Sequence, residues 1–275
     1  MKKTVLFLIV LFMAVSCDVV DGPYKQELTT AGEFNKNVVL FDFTAINCVF
    51  CPTANRVAES LSDLYGHDNV IVIGAHASTL AVPNKDKNQV DFRTETSNEL
   101  YDKFAKGEGL PLGMVNQRDI DGRKITNFGN WDGMVIEESY LEPEMDLTME
   151  LTHEEGTQEV EISITADYFT SSNPDDNICI YVTEDSLISD QKDNGVIIEN
   201  YVHDHVLRTS VTGTFGTQFT GTTITSGNSH SKSFNFTIPE EYRANKLRFV
   251  AFIQNKNTNY VKQVTAEYLY EKSEK

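Results

Sequence analysis

The sequence has 275 residues, a formal net charge of −18 at neutral pH and 40% hydrophobic residues. An acidic chain without a basic stripe repels phosphate backbones, so we expect no nucleic-acid partner. The hydrophobic fraction is sufficient for a sizeable core, and this length favours two domains.

The N-terminal residues have the pattern of an export signal. Lys2 and Lys3 give a positive start, and an apolar run from Val5 to Val15 follows. This run is shorter than a membrane-spanning helix, as is typical of a signal peptide.

Small residues lead from this run to Cys17, and the ending resembles a bacterial lipoprotein signal. In such signals the cysteine is acylated and becomes the first residue of the mature protein, although Ala14 stands here in place of the usual Leu. The resemblance implies a signal peptide at residues 1–16, a lipid on Cys17 and a tether over residues 17–29. The alternative is ordinary secretion without a lipid.

Residues 34–141 alternate between strand-like and helix-like patterns. Apolar runs rich in β-branched residues predict strands that are buried on both faces. The predicted strands are NVVLFDFTA, NVIVIGAHA, LGMVNQ and RKITNF, and the predicted helices are CPTANRVAESLSDLYG, FRTETSNELYDKFAKGEG and NWDGMVIEESYL. Asp121 and Gly122 predict a hairpin turn between the last two strands. This order predicts an α/β domain built on a βαβ unit over residues 30–142.

From about residue 145 the apolar period changes to two. Met145, Leu147 and Met149 alternate with polar residues, and six later segments behave similarly. Seven or eight short strands separated by Gly, Asn and Ser turns predict an antiparallel, immunoglobulin-like β-sandwich over residues 143–275.

Cys48 and Cys51 form a C-x-x-C motif between the first predicted strand and the first predicted helix. A helix N-terminus favours a thiolate, which is the attacking species in disulfide exchange. In an exported protein, a single C-x-x-C without a nearby histidine pair indicates redox chemistry more often than zinc. Three hypotheses stay open: an exchange-active pair, a disulfide that braces the helix start, and a metal site.

The segment LFDFTAINCVFC, residues 40–51, resembles the strand-to-helix signature of the thioredoxin-like superfamily. The resemblance implies that Cys48 attacks a partner disulfide and that Cys51 resolves the intermediate. It also implies that Asp42 is a buried acid that assists proton transfer. Pro111, in the segment GLPLGMV, stands where the superfamily has a cis-proline opposite the active site. Cis X-Pro bonds are uncommon and specifically placed, so a cis Leu110–Pro111 bond is a sharp expectation.

The motif departs from that superfamily at three positions. Asn47 replaces the usual Trp before the first cysteine, and Val49 and Phe50 replace the usual Gly-Pro or Pro-His dipeptide. The residues between the cysteines strongly influence reduction potential, so the direction of electron transfer is open. Residues 78–88 also have the character of an insertion.

The whole arrangement is similar to the 28 kDa outer-membrane protein family, lipoproteins of Gram-negative anaerobes. This similarity rests on the acylation signal, the segment NCVFCP and the acidic C-terminal half with YVHDHVLRTSVTGTFG. It implies a lipid-anchored outer-membrane protein. Our first hypothesis is thiol–disulfide exchange with an envelope protein partner. The alternative is a surface adhesin or receptor whose β-sandwich binds a ligand and whose C-x-x-C is structural. Whether the protein is an enzyme is left open.

The remaining candidates favour simpler interpretations. His203 and His205 would share one face of a strand, but two ligands do not make a metal site. Cys179 lies in an apolar strand-like run and is expected to be buried. Asp119 begins the segment DIDG, which lacks the later ligands of a calcium loop and predicts a turn. We therefore predict no metal and no cofactor.

Overall fold

The computed structural model describes residues 34–85 and 87–270. The predicted signal peptide, Cys17 and the tether lie outside the described residues. Among the residues that are described, no helix combines the length and the apolar composition needed to cross a bilayer.

The first half of the chain contains the predicted strands and helices in the predicted order. The strands are β1 (Val38–Thr44), β2 (Val70–His76) and β3 (Leu112–Val115), and the helices are α1 (Cys51–Tyr65), α2 (Glu95–Phe104) and α3 (Trp131–Ser139). The predicted strand RKITNF is reduced to isolated bridges such as Gly113 with Thr126. The predicted turn at Asp121 and Gly122 is present. Asp119 Oδ1 accepts a hydrogen bond from the Gly122 N–H at 2.8 Å and stabilises it.

The second half is made of strands joined by turns. The strands are β4 (Met145–His153), β5 (Glu159–Tyr168), β6 (Asn177–Glu184), β7 (Leu187–Asp193), β8 (Val196–His203), β9 (Val206–Ser210), β10 (Thr217–Gln218), β11 (Ser229–Thr237), β12 (Leu247–Gln254) and β13 (Val261–Tyr268). Short 3-10 turns lie at Thr79–Ala81, Phe128–Asn130 and Ala244–Lys246. Single-sequence periodicity did not predict β7, β9 or β10 as separate strands.

One large sheet contains strands from both sides of the predicted boundary at residues 142 and 143. Its order is β13–β12–β6–β9–β2–β1–β3, and β10 pairs with β6. Within it, β1 is parallel to β2 and antiparallel to β3, and β2 meets β9 in parallel at Gly74 and Val206. A buried strand needs a hydrogen-bonding neighbour on each edge, and β9 supplies the second neighbour of β2. The described residues accordingly fall in one compact unit.

Side chains from both halves pack on one face of this sheet. The Phe41 ring contacts the Phe252 ring with their centroids 5.9 Å apart, and Tyr181 packs against both. Elsewhere the second sheet, ordered β11–β5–β4, packs its apolar face on β6 and β12 as one layer of a sandwich. Helices α1 and α3 cover Val38 and Leu40 on the other face. The fold is therefore mixed α/β and consists mostly of sheets with few helices.

Candidate functional site

Cys48 and Cys51 form a disulfide with Cα atoms 5.4 Å apart. Cys51 is the first residue of α1, and Pro52 follows it in the first turn, where a missing N–H costs little. Cys48 lies in the preceding turn, and its N–H donates to the backbone oxygen of Ala45 at 3.1 Å. The exposed fraction of Cys48 is 2% and that of Cys51 is 0%, so the disulfide is almost completely covered.

Asp42 is linked to the disulfide through Asn55. With the Asn55 amide assigned from its surroundings so that its nitrogen faces the acceptors, that nitrogen donates at 2.8 Å to both Asp42 Oδ2 and the backbone oxygen of Cys51, and at 3.3 Å to Thr44 Oγ1. Burial raises the pKa of Asp42 to about 8, because a carboxylate loses its hydration there. Among the described residues, Asp42 Oδ1 has no hydrogen-bond partner. The site therefore contains a carboxyl group that is largely protonated at neutral pH.

Pro111 immediately precedes β3, and the Leu110–Pro111 peptide bond is cis, as expected. The Leu110 side chain packs against the cluster formed by Ala45, Ala81 and the two cysteines. The structure thus brings the segment around Pro111 to the disulfide.

One side of the cysteine loop, the segment from Ala45 to Phe50, is bound by Leu80, Val82 and Gln89. The Asn47 N–H donates to Leu80 O at 3.1 Å, and Asn47 Nδ2 donates to Val82 O at 2.8 Å. Gln89 Nε2 donates in turn to Asn47 Oδ1 at 3.0 Å. Asn47, the residue that replaces the usual Trp, therefore connects the cysteine loop to the predicted insertion.

The other side of the loop is bound by β7 and by Asn194 directly after it, about 140 residues later in the chain. The Lys192 N–H donates to Ile46 O and the Asn194 N–H donates to Val49 O, both at 2.9 Å. Gln191 is 1% exposed, and its Nε2 lies 3.2 Å from Ala45 O and 3.3 Å from Cys48 O. Nothing in the local sequence around Gln191 signals this role, because the contact depends on the long-range path of the chain.

A cavity of about 190 Å³ lies between α1 and the end of β8. Asp42, Asn55, His76, His203 and His205 are among the residues that line it. Burial lowers the pKa of His76 well below its usual value and lowers the pKa of His203 to about 4, so both imidazoles are neutral at pH 7.

The predicted shared strand face of His203 and His205 is wrong. β8 ends at His203, and His205 follows in a turn with φ of 57°. Both are buried, and His205 Nε2 lies 2.8 Å from Glu59 Oε2. Among the described residues, one set of three potential metal ligands lies within reach of a single ion. It consists of the exposed side chains of Glu59, Asp63 and His67 and includes neither His203 nor His205.

Cys179 is buried and unpaired within β6, as predicted. Burial raises the pKa of its thiol well above the usual value, so it is not a thiolate at neutral pH. It belongs to the core rather than to the site.

Comparisons with known proteins relate this chain to outer-membrane proteins. The sequence profile of the family described as "Outer membrane protein Omp28" matches residues 98–273. The solved structure of HBP35 of Porphyromonas gingivalis is 16% identical, aligns over 89% of this chain and 80% of its own, and gives a TM-score of 0.65. At this identity the likeness shows a shared fold.

A domain of the outer membrane lipoprotein Omp28 from Porphyromonas gingivalis is 18% identical, over 45% of this chain and 86% of its own, with a TM-score of 0.32. No curated protein sequence matches this chain.

Proposed function

The chain belongs to the Omp28 family of outer membrane proteins, and we propose that it is lipid-anchored through Cys17 and exchanges disulfides with an envelope protein partner. The observation that carries the proposal is the Cys48–Cys51 disulfide at the start of α1, with the buried Asp42 linked through Asn55 to the backbone of Cys51. The order β1–α1–β2, with parallel β1 and β2 and antiparallel β3, supports a thioredoxin-like part within the larger sheet.

The exchange proceeds in two thiolate attacks. A thiolate of a partner dithiol attacks Cys48 Sγ, a mixed disulfide forms, and Cys51 leaves as a thiolate. The second partner thiolate attacks the mixed disulfide, so the partner becomes a disulfide and Cys48 leaves. Two electrons pass to this chain, and each cysteine thiolate takes up one proton. The reverse sequence reduces a partner disulfide.

Asp42 is the proposed source and acceptor of one of these protons. A carboxyl group whose pKa is about 8 exchanges its proton near neutral pH, whereas an ordinary aspartate is already ionised. Asn55 fixes Asp42 relative to the first turn of α1. Leu110, the neighbour of Pro111, packs on the cluster around the cysteines, and Pro111 would help to present the partner backbone there.

The reduction potential of the pair tests this function. The protein from residue 18 onward is equilibrated in glutathione buffers, and we expect a value between about −120 and −270 mV, the range of exchange proteins. Cys48→Ser should abolish turnover of a protein disulfide, whereas Cys179→Ser should retain it. A potential below about −300 mV, or full activity of Cys48→Ser, contradicts the proposal.

The burial of both cysteines favours a second candidate, in which the disulfide only braces the start of α1. The β-rich half would then carry the function as a surface receptor or adhesin. In that case the whole chain with Cys48→Ser and Cys51→Ser should attach to host cells or matrix as well as the unmodified chain. A chain that attaches to neither surface contradicts this candidate.

A further inference from the structure

We infer that Asn47 and Gln191 are positioning residues that hold the cysteine loop closed and control how readily the disulfide is reduced. This inference rests on the proposed function for its biological meaning. The cysteine loop is the segment from Ala45 to Phe50. Its geometry and chemical accessibility can be tested without any protein partner.

The two sides of the cysteine loop are held by different parts of the chain. Asn47 makes hydrogen bonds through its backbone N–H, its amide nitrogen and its amide oxygen, all to the segment from Thr79 to Gln89. Gln191 reaches the opposite side from β7 and donates to the backbone of Ala45 and Cys48. The loop therefore cannot move outward without breaking bonds on at least one side.

The contact from β7 resembles strand pairing. Lys192 and Asn194, two residues apart, donate to Ile46 and Val49 of the loop. Asp193 adds an ion pair with Arg56 on α1, with Arg56 Nη1 3.4 Å from Asp193 Oδ2. An incoming polypeptide thus finds this flank of the loop already occupied by β7.

The burial of Gln191 and its two hydrogen bonds to the cysteine loop make its side chain the sensitive point. It is 1% exposed, so water cannot replace the hydrogen bonds of its side-chain amide unless β7 moves. Losing the amide leaves the carbonyls of Ala45 and Cys48 without this donor in a covered site. Movement of the loop toward solvent then gives these carbonyls hydrogen bonds from water, and the same movement exposes the sulfur atoms.

The test is the rate at which dithiothreitol reduces Cys48–Cys51 in the whole chain without denaturant. One dithiothreitol thiolate attacks Cys48 Sγ and displaces Cys51; its second thiolate then closes a cyclic disulfide and releases Cys48. We expect Gln191→Met, which keeps the side-chain volume but lacks the donor, to accelerate reduction about tenfold. Asn47→Ala should give a similar increase from the other side. Gln263→Met is the matched control, because Gln263 is also buried and donates to a distant carbonyl, Met145 O.

The urea dependence of the rate separates local opening from general loss of stability. Local opening exposes little surface, so the accelerated rate should rise only weakly with urea, whereas reduction through global unfolding rises steeply. Unchanged rates in folded Gln191→Met and Asn47→Ala overturn the inference, as does an equal acceleration in Gln263→Met. If Gln191→Met does not fold, Asn47→Ala decides alone.

The outcome is independent of the proposed exchange function. If both variants open the loop but neither they nor the unmodified chain oxidise or reduce a protein substrate, the inference holds and the proposed function fails. If the unmodified chain exchanges disulfides and both folded variants keep its reduction rate, the function holds and the inference fails.

Discussion

Asp42 on β1 stands directly opposite Gly74 on β2, and Gly74 has no side chain to fill the space beside the carboxyl group. A Cβ atom on Gly74 would lie 3.3 Å from the backbone oxygen of His205. Gly74 lines the same cavity as Asp42. The missing side chain therefore allows the His205 backbone to approach the sheet and leaves room next to a buried acid.

Asp42→Asn should change how stability depends on pH. The folded-state pKa of about 8 lies above the unfolded value, so the folded chain holds a proton that the unfolded chain has released between about pH 4 and pH 8. Stability contributed by this group is complete below that window and is lost as pH rises through it, by about 1.4 kcal/mol per pH unit. Urea unfolding at pH 5, 7 and 8.5 should show that the free energy of unfolding of the Asn variant increases relative to that of the unmodified chain as the pH rises. Parallel pH curves for the two proteins would contradict the buried, protonated state, and Asp102→Asn, at an exposed site, is the control.

His203→Phe should protect the protein against acid. The folded-state pKa of His203 is about 4, lowered by burial and partly offset by the Ser189 backbone. Below about pH 6.5 His203 binds a proton in the unfolded chain but not in the folded chain. The free energy of unfolding therefore falls as the pH drops from 6.5 to 4. Phenylalanine keeps the ring packed against Phe92 and does not titrate.

Urea midpoints at pH 7 and pH 5 measure the effect of His203→Phe. The variant should lose less stability between these pH values than the unmodified chain. His153→Phe provides the comparison, since His153 is partly exposed, its ring packs on Tyr270, and neither residue lines the cavity. Equal acid sensitivity of the His203 variant and the unmodified chain would show that another group governs this pH range.

Glu138→Leu should destabilise the fold by about 3–5 kcal/mol, because it leaves a buried cation without its partner. Lys36 Nζ lies 3.3 Å from Glu138 Oε2, and their side chains are 3% and 1% exposed. Burial lowers the pKa of Lys36, and Glu138 opposes that shift. Lys36→Met combined with Glu138→Leu should recover part of the loss, because no buried charge is left unpaired at this pair, although Asn116 Nδ2 and the Tyr260 hydroxyl still lose their Glu138 acceptor. A double-mutant cycle in urea that shows simple additivity would contradict the coupling.

Gly113→Ala should destabilise the protein by about 1–3 kcal/mol through overpacking. An added Cβ atom would lie 2.5 Å from the Trp131 ring and 2.6 Å from Phe41 O. Gly133→Ala should instead stabilise the protein, because Gly133 lies within α3 with open space around it and alanine favours helix. Thermal unfolding of both variants checks the contrast, and equal shifts in the same direction would argue against tight packing at Gly113.

The parts of the fold that depend on local pattern could be predicted from sequence. The apolar run at β1, the helical spacing after Cys51 and the alternation in β4 each follow from the face that a segment buries. The structure contains the Cys48–Cys51 disulfide, which two of the three open hypotheses for the C-x-x-C motif require.

The parts that depend on distant partners could not be predicted. Periodicity predicts which side of a strand is apolar but not which strand lies beside it, so the pairing of Gly74 with Val206 and the single large sheet were missed. Gln191 was missed for the same reason, because its partners lie more than 140 residues earlier. The histidine prediction failed because the positive φ of His205 ends the strand regularity that a shared face requires.

The long separation between the cysteine loop and β7 also sets an order of events during synthesis. Cys48 and Cys51 are synthesised well before Gln191. Phe252, which packs on Phe41, is synthesised later still. Because chains are made from the N-terminus, both thiols stay uncovered until β7 exists to dock on the cysteine loop. Once β7 docks, the newly formed bond is enclosed. Whichever redox state the pair has at that moment is the state that the finished fold retains until the loop opens again.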